Sequence, residues 1–227
     1  MKWLIVTADD FGMSCGINRG IMEAHFGGIL TSASLLVDGG ASEHAAALSR
    51  EWPTLSVGLH LDLDPNEPER VPLELDRQLA RFLALVGAAP THVDSHHDVH
   101  HNTQILPYVL AWARQAGIPV RGHSSVRQLA KFYGRWGGET HPEQISVEGL
   151  LRLLDAELRE GVTELTCHPG HPEPEFPSSY ASEREVELAT LCNEQTRRGI
   201  LEREIRLVGF RDVPALASGV WYPEQAT

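Results

Sequence analysis

The sequence of 227 residues has few cysteines, few basic residues and no long hydrophobic run. Its three cysteines, Cys15, Cys167 and Cys192, form no Cys-x-x-Cys pair and are too few for a disulfide framework. No apolar stretch approaches the roughly 18 residues of a transmembrane helix. The opening run Met1–Val6 is also too short for a signal peptide. We therefore expect a reduced, cytoplasmic protein that does not use a membrane as a partner.

The shortage of basic residues excludes a second class of partner. Lys and Arg together number 19 against 31 Asp and Glu, which gives a formal net charge of -12. A nucleic-acid-binding surface needs a concentration of positive charge, so we predict no nucleic-acid partner. A small neutral carbohydrate remains compatible with this charge.

What the sequence does contain is an alternation of short apolar runs and longer amphipathic segments, which is typical of repeated βα units. The apolar runs predict strands over Lys2–Ala8, Leu30–Val37, Leu55–Leu61, Thr91–Asp94, Ile118–Arg121, Glu164–Cys167 and Arg206–Val208. The amphipathic segments predict helices over Leu73–Val86, Asn102–Gln115, Ser146–Glu160 and Ser182–Arg198. The fold class is α/β, either a closed or nearly closed parallel barrel or an open doubly wound sheet.

The length suits one large domain. We predict a single catalytic domain over residues 1–214 and a loosely held C-terminal tail over residues 215–227. An irregular surface loop is expected over Tyr133–Gln144, which is rich in glycine. The helix over Ser182–Arg198 is expected to begin with a capping box at Ser182 and Glu185 and to stop before Gly199.

Titratable residues stand where four of the predicted strands end. Asp9 and Asp10 follow the first strand, and His60, His96 and His168 mark three later strand ends. The carboxyl ends of parallel strands meet at one rim, so we expect these side chains to converge. The run from His96 to His101 adds four imidazoles in six residues. Singly, these residues could be caps, turns or structural histidines; together they indicate a metal-dependent hydrolase.

The ligand chemistry supports this interpretation. Two imidazoles and one carboxylate bind a divalent metal and leave positions open for water and substrate. A second carboxylate can act as general base, and a histidine can protonate the leaving group. With two adjacent aspartates, one can bind the metal while the other acts as the base. The same set serves any acyl transfer to water, so an esterase or another amidohydrolase is an alternative.

Four motifs, in order, resemble the YdjC-like carbohydrate deacetylases, the ChbG/HpnK group. They are Thr7–Gly12, Gly58–Leu61, Thr91–His97 and Cys167–Gly170. The resemblance extends over nearly the whole chain. It implies a deformed (β/α) barrel of about seven parallel strands, related to the polysaccharide deacetylases. It also implies removal of an acetyl group from a small N-acetylated sugar, such as a chitin-derived oligosaccharide, and a homodimer.

The resemblance assigns roles to particular residues. Asp10, His60 and His96 would bind one divalent metal, zinc or magnesium first, with cobalt or nickel as alternatives. Asp9 would be the general base and His168 the acid toward the departing amine. The substrate contacts would come from Arg184, which would alternatively orient Asp9, together with Phe11 and His100. No further cofactor is expected.

One position departs from the family pattern. The family commonly reads Asp-Ser-His-x-His-x-His, and Asp98 stands here at the middle histidine. This change leaves His96 intact but adds a third hypothesis, an inactive sugar-binding homologue. Asp9 beside Asp10 opposes that hypothesis, because a binding protein has no use for a spare base.

Overall fold

The computed structural model describes residues 1–173 and 178–217. Its strands are β1 Lys2–Phe11, β2 Ser32–Leu35, β3 Ser56–Leu61, β4 Val93–Ser95, β5 Arg127–Leu129, β6 Arg135–Trp136, β7 Glu139–Thr140, β8 Gly161–Cys167 and β9 Ile205–Leu207. Its helices are α1 Cys15–Gly27, α2 Ser42–Glu51, α3 Val71–Val86, α4 Leu106–Ala116, α5 Val147–Glu157, α6 Ala181–Cys192, α7 Glu194–Glu202 and α8 Val213–Ala217. Short 3-10 helices cover Pro68–Arg70, His96–His101 and Phe210–Asp212.

Seven strands form one parallel sheet in the order β4-β3-β2-β1-β8-β5, with β9 beside the first residues of β1. A parallel bridge between Val93 and Val120 extends the sheet beyond β4. The short connection from Arg121 to Arg127 then reaches β5, which lies at the opposite edge. The sheet is therefore curled into an incomplete barrel, as predicted, and not opened into a doubly wound sheet.

Most predicted strands are present; those at the centre of the sheet, such as β2 and β3, are buried on both faces, whereas β9 is mostly exposed. The predicted strand Ile118–Arg121 is reduced to the single bridge at Val120. Strand β5 was not predicted, since Arg127 and Gln128 give it no apolar run. The Tyr133–Gln144 loop, predicted to be irregular, contains the two-stranded antiparallel ribbon β6-β7.

The predicted helix Ser182–Arg198 is two helices, α6 and α7. The chain breaks at Asn193, whose side chain accepts a hydrogen bond from the Gln195 N–H and caps α7. The predicted capping box is wrong, because Tyr180 is the N-cap of α6 and makes no side-chain cap bond. Gly199 does not end the helix: it lies inside α7, where an added Cβ would lie 2.5 Å from the Leu151 side chain.

The described part of the chain has one large apolar core between the sheet and its helices, and a smaller one around Ile5 and Phe210. None of the helices in residues 1–173 and 178–217 is long and apolar enough to cross a membrane. Of the predicted tail, residues 218–227 lie outside the described residues. Helix α8 crosses the predicted boundary after residue 214.

Candidate active site

A cleft of about 580 Å³ opens at the carboxyl ends of the strands, where parallel α/β folds place their sites. Its volume is in the range of small-ligand pockets. The structure brings six of the predicted site residues to its walls: Asp9, Asp10, His60, His96, His168 and Arg184. They come from β1, β3, the segment after β4, the segment after β8, and α6.

Both aspartates face this cleft because β1 is irregular at its end. Successive residues of a regular strand point to opposite faces of the sheet. The register of β1 on β2 shifts between Ala8 and Phe11, and Asp10 has a left-handed φ of 66°. This bulge turns the backbone, so Asp9 and Asp10 line the same cavity although they are adjacent.

His60 is held by a buried carboxylate. Its partner on the neighbouring strand is Asp94, and Nδ1 of His60 lies 2.7 Å from Oδ1 of Asp94. Ser34 donates a further hydrogen bond to Asp94 over 2.6 Å. When Nδ1 donates to Asp94, Nε2 presents its lone pair to the cleft, which is the arrangement common behind metal-binding histidines.

Asp10, His60 and His96 have the geometry of a metal-ligand set. One donor atom from each lies within 4.8 Å of the other two. Oδ1 of Asp10 is 3.5 Å from Nε2 of His60 and 3.1 Å from Nδ1 of His96. A carboxylate and two imidazoles suit zinc and other divalent transition metals. These residues therefore fit the divalent ion that the sequence predicts.

The charges around these residues favour a cation. Burial alone would lower the pKa of His60, but the carboxylates of Asp94, Asp9 and Asp10 raise that pKa to about 10. Burial alone would raise the pKa of Asp10, yet hydrogen bonds from His60 and His96 and the charge of Arg184 hold it well below its usual range. The carboxylates next to the His60 ring thus favour a positive charge at this point.

Asp9 is held by Arg121, a residue for which no role was predicted. The fully buried guanidinium donates from Nη1 and Nη2 to the two carboxylate oxygens of Asp9, over 2.8 and 2.7 Å. It also pairs with Asp94 and Glu164 at 2.6 and 3.0 Å. A bidentate pair of hydrogen bonds fixes the orientation of a carboxylate better than a single hydrogen bond does. The signal was present, because Arg121 also ends an apolar run, Ile118–Val120.

His168 stands opposite these carboxylates, with Nε2 4.0 Å from Oδ2 of Asp9. Its backbone N–H donates to the buried carboxyl of Glu187, which also accepts from the Tyr180 hydroxyl. Nδ1 of His168 has no hydrogen-bond partner among the described residues. Burial lowers the pKa of His168, and the charges of Asp9 and Asp10 oppose this shift. The ring is positioned to exchange a proton with a ligand in the cleft.

Two aromatic side chains form one wall of the cleft. Tyr133 and Tyr180 stack with ring centroids 4.6 Å apart and an interplanar angle of 9°. Both rings meet His168 edge to face, at centroid distances of 5.7 and 5.5 Å. Tyr133 is 39% exposed, so it offers a surface on which a sugar ring can pack.

Two of the three predicted substrate contacts, Phe11 and His100, need correction, and so does the alternative role of Arg184 in orienting Asp9. Phe11 is fully buried in the core, because the bulge that turns Asp9 and Asp10 to the cleft leaves Phe11 facing inward. His100 is also fully buried and does not line the cleft. Arg184 does line it, but the guanidinium pairs with Asp10 and not with Asp9. Neither Phe11 nor His100 presents a surface to substrate.

The chain is similar in sequence to known proteins whose names agree with a hydrolytic site. The sequence model of a family described as YdjC-like protein matches residues 3–73 and 64–202. A chitooligosaccharide deacetylase of Klebsiella pneumoniae subsp. pneumoniae is 36% identical over 248 residues, covering 92% of this chain and 98% of the relative. A carbohydrate deacetylase of Brevibacillus brevis is 35% identical over 246 residues, covering 92% and 99%. The chain belongs to the YdjC-like family.

Solved structures agree with the fold of this YdjC-like protein. The crystal structure of a candidate cellobiose-phosphate cleavage protein from Enterococcus faecalis V583 superposes with a TM-score of 0.81 at 28% identity, covering 93% of this chain and 98% of that one. A family 4 acetyl xylan esterase from Clostridium thermocellum, in complex with a cobalt ion, gives a TM-score of 0.60 at 14% identity, covering 97% and 93%. At this low identity the second likeness shows the fold alone.

Proposed function

We propose that this protein hydrolyses the acetamido group of a small N-acetylated sugar, such as a chitooligosaccharide, with the help of one divalent metal ion. The observation that carries the proposal is the placement of Asp9, held by Arg121, between the Asp10/His60/His96 ligand set and His168 in one cleft. The names of the relatives at about 36% identity support the substrate class.

Each group has a part in the reaction. A divalent ion held by Asp10, His60 and His96 would polarise the acetyl carbonyl and lower the pKa of the attacking water. Asp9 accepts a proton from that water as its oxygen bonds to the carbonyl carbon. His168 donates a proton to the nitrogen as the C–N bond breaks, so acetate and a free amino sugar leave. Arg121 keeps the Asp9 carboxylate oriented throughout.

The residues around the reacting bond suit a sugar. The exposed face of Tyr133 can pack against a pyranose ring, while Arg184, which contacts Asp10, closes the cleft from the side of α6. Aromatic packing is stronger for a longer chain of sugar rings that reaches more of the wall. We therefore expect diacetylchitobiose and longer oligomers to be better substrates than N-acetylglucosamine.

The experiment is an acetate-release assay. Metal-free protein is incubated with N-acetylglucosamine, diacetylchitobiose or longer chitin oligomers, with Zn²⁺, Co²⁺, Ni²⁺ or Mg²⁺ added in turn. Asp9→Asn should lower kcat at least about 100-fold, because it removes the general base, while the metal content stays that of the wild type. Asp62→Asn is the control, since this exposed aspartate follows β3 without lining the cleft.

The outcomes separate the parts of the proposal. Acetate release that requires metal and is lost in Asp9→Asn supports both the reaction and the role of Asp9. Full activity in Asp9→Asn would show that another group is the base. No acetate from any sugar, with metal bound, would overturn the deacetylase assignment and direct attention to other acyl substrates.

A further inference from the structure

A second group of metal-binding side chains lies beside the cleft, outside the ligand set described above. One donor atom from each of Asp98, His100 and His101 lies within 4.8 Å of the other two. They belong to the short segment His96–His101, in which His97 and Asp98 have left-handed φ angles of 55° and 53°. The segment thereby returns on itself, so residues close in sequence can turn donor atoms toward one point.

His100 carries the observation that points to a ligand. Its ring is fully buried, and Nε2 has no partner with hydrogen-bond distance and angle in the described residues, although the Arg121 backbone is close enough to the ring to oppose the effect of burial on the pKa of His100. The other ring nitrogen, Nδ1, lies 2.8 Å from Oγ of Ser95, which also accepts the His100 backbone N–H. When Nδ1 donates to Ser95, Nε2 presents its lone pair. A buried polar atom without a partner is costly, and a metal ion would satisfy it.

His101 is held in a similar way by a histidine from another part of the chain. Nδ1 of His101 lies 3.0 Å from Nε2 of His123, and the two ring centroids are 5.1 Å apart. The His100 and His101 rings are closer still, with centroids 4.1 Å apart. Partners of this kind fix the ring orientation of a ligating histidine. Asp98, His100 and His101 thus form the donor group, and His123 contacts it through His101.

We propose that Asp98, His100 and His101 bind a second divalent transition-metal ion, of which Zn²⁺ is the probe of choice, and that His123 holds His101 in the binding orientation. Imidazole nitrogens with one carboxylate are a donor set for Zn²⁺, Ni²⁺ or Cu²⁺ and a poor one for Mg²⁺ or Ca²⁺. Asp98 lines the catalytic cleft, so the second ion lies at the cleft wall. It orders the segment that carries His96.

The test counts metal ions and does not depend on enzyme activity. Full-length protein is stripped with a chelator and titrated with Zn²⁺ by calorimetry, and bound zinc is counted after gel filtration. We expect two equivalents for the wild type. His101→Ala and Asp98→Asn should each keep one equivalent, because both side chains are exposed and the first ligand set is unchanged. His123→Ala should weaken the second site about tenfold or more.

His97→Ala is the matched control. This exposed histidine is adjacent to Asp98 but does not belong to the Asp98, His100, His101 group. The His97→Ala protein should therefore still bind two equivalents of zinc. Circular dichroism confirms that each variant is folded. A wild type that binds one equivalent or none overturns the proposal, and so does a second equivalent that survives in both His101→Ala and Asp98→Asn. Loss of the second ion in His97→Ala would overturn the ligand assignment.

Discussion

At the scale of single residues, the cleft depends on charges that the fold has removed from water. Arg121 is fully buried and faces three carboxylates, those of Asp9, Asp94 and Glu164. Burial disfavours the charged guanidinium, but these carboxylates hold the pKa of Arg121 well above its usual value. Burial raises the pKa of Glu164 to about 6, and the charge of Arg121 limits this rise. The cluster is balanced only while Arg121 is present.

Arg121→Gln should therefore reduce both stability and activity. Removing one partner of a buried ion pair leaves uncompensated charge, so we expect the free energy of unfolding to fall by about 3 kcal/mol or more in urea titrations. Arg121→Lys keeps the charge but not the paired fork on Asp9, so it should recover part of the stability while kcat stays low.

Arg127→Gln is the control for this prediction. Arg127 lies on strand β5 and is exposed, and among the described residues its side chain donates hydrogen bonds to Thr163 and the Glu160 carbonyl. Its replacement should change the free energy of unfolding by less than about 0.5 kcal/mol. Equal losses in the two variants would contradict the special role of Arg121.

Individual residues also show how far sequence reasoning reaches. The end-of-strand position located Asp9, Asp10, His60 and His168, because parallel strands bring such positions together. It did not show which side of the chain each residue faces. The bulge at Asp10 decides which side each residue faces, and because of this bulge Phe11 lies in the core. The position of Arg121 after an apolar run marks it as a candidate, but its pairing with Asp9, Asp94 and Glu164 follows only from the fold.

At the scale of elements, two helices that were not predicted from the sequence, α1 and α2, have small residues on their buried faces. Helix α1 buries Gly16 and Gly20, and α2 buries Ala45 and Ala46. Such positions give a weak apolar signal, yet they allow close packing. A Cβ added to Gly20 would lie 2.5 Å from Cα of Gly170, in the segment that follows His168. Helix α1 therefore sets the position of the His168 segment.

Gly20→Ala tests this contact. The added methyl group meets backbone, which cannot rotate away, so either α1 or the segment after His168 must move. We expect the free energy of unfolding to fall by about 1–3 kcal/mol, as in other overpacked contacts. Because His168 moves with this segment, kcat for acetate release should fall as well.

The same helix provides the control. Gly27 is the last residue of α1, and a Cβ added there has no atom within 4 Å. Gly27→Ala should leave stability unchanged or raise it by about 0.5 kcal/mol, since alanine loses less conformational entropy on folding. If Gly20→Ala behaved like Gly27→Ala, α1 would have no part in placing His168.

At the scale of the whole molecule, buried acids couple folding to pH. Glu187 is fully buried on α6 and accepts hydrogen bonds from the Tyr180 hydroxyl and the His168 N–H. Burial raises the pKa of Glu187 to about 7, against the effect of these hydrogen bonds. In the unfolded chain this carboxyl has its ordinary value of about 4.3. The two states therefore bind different numbers of protons between these pH values.

Glu187→Gln should change how stability depends on pH. Between about pH 4.3 and 7 the unfolded wild type has released the Glu187 proton while the folded protein keeps it, so this group makes stability fall as pH rises. The variant lacks this contribution, and its free energy of unfolding relative to wild type should increase by about 1–3 kcal/mol from pH 4.5 to pH 7. The variant can be less stable at every pH, because glutamine replaces one acceptor oxygen with a donor; the decisive quantity is how steeply the free energy of unfolding changes with pH.

Glu185→Gln, an exposed change on the same helix, is the control: its free energy of unfolding, from urea titrations at each pH, should follow that of the wild type. Parallel curves for Glu187→Gln as well would show that Glu187 keeps an ordinary pKa in the folded protein.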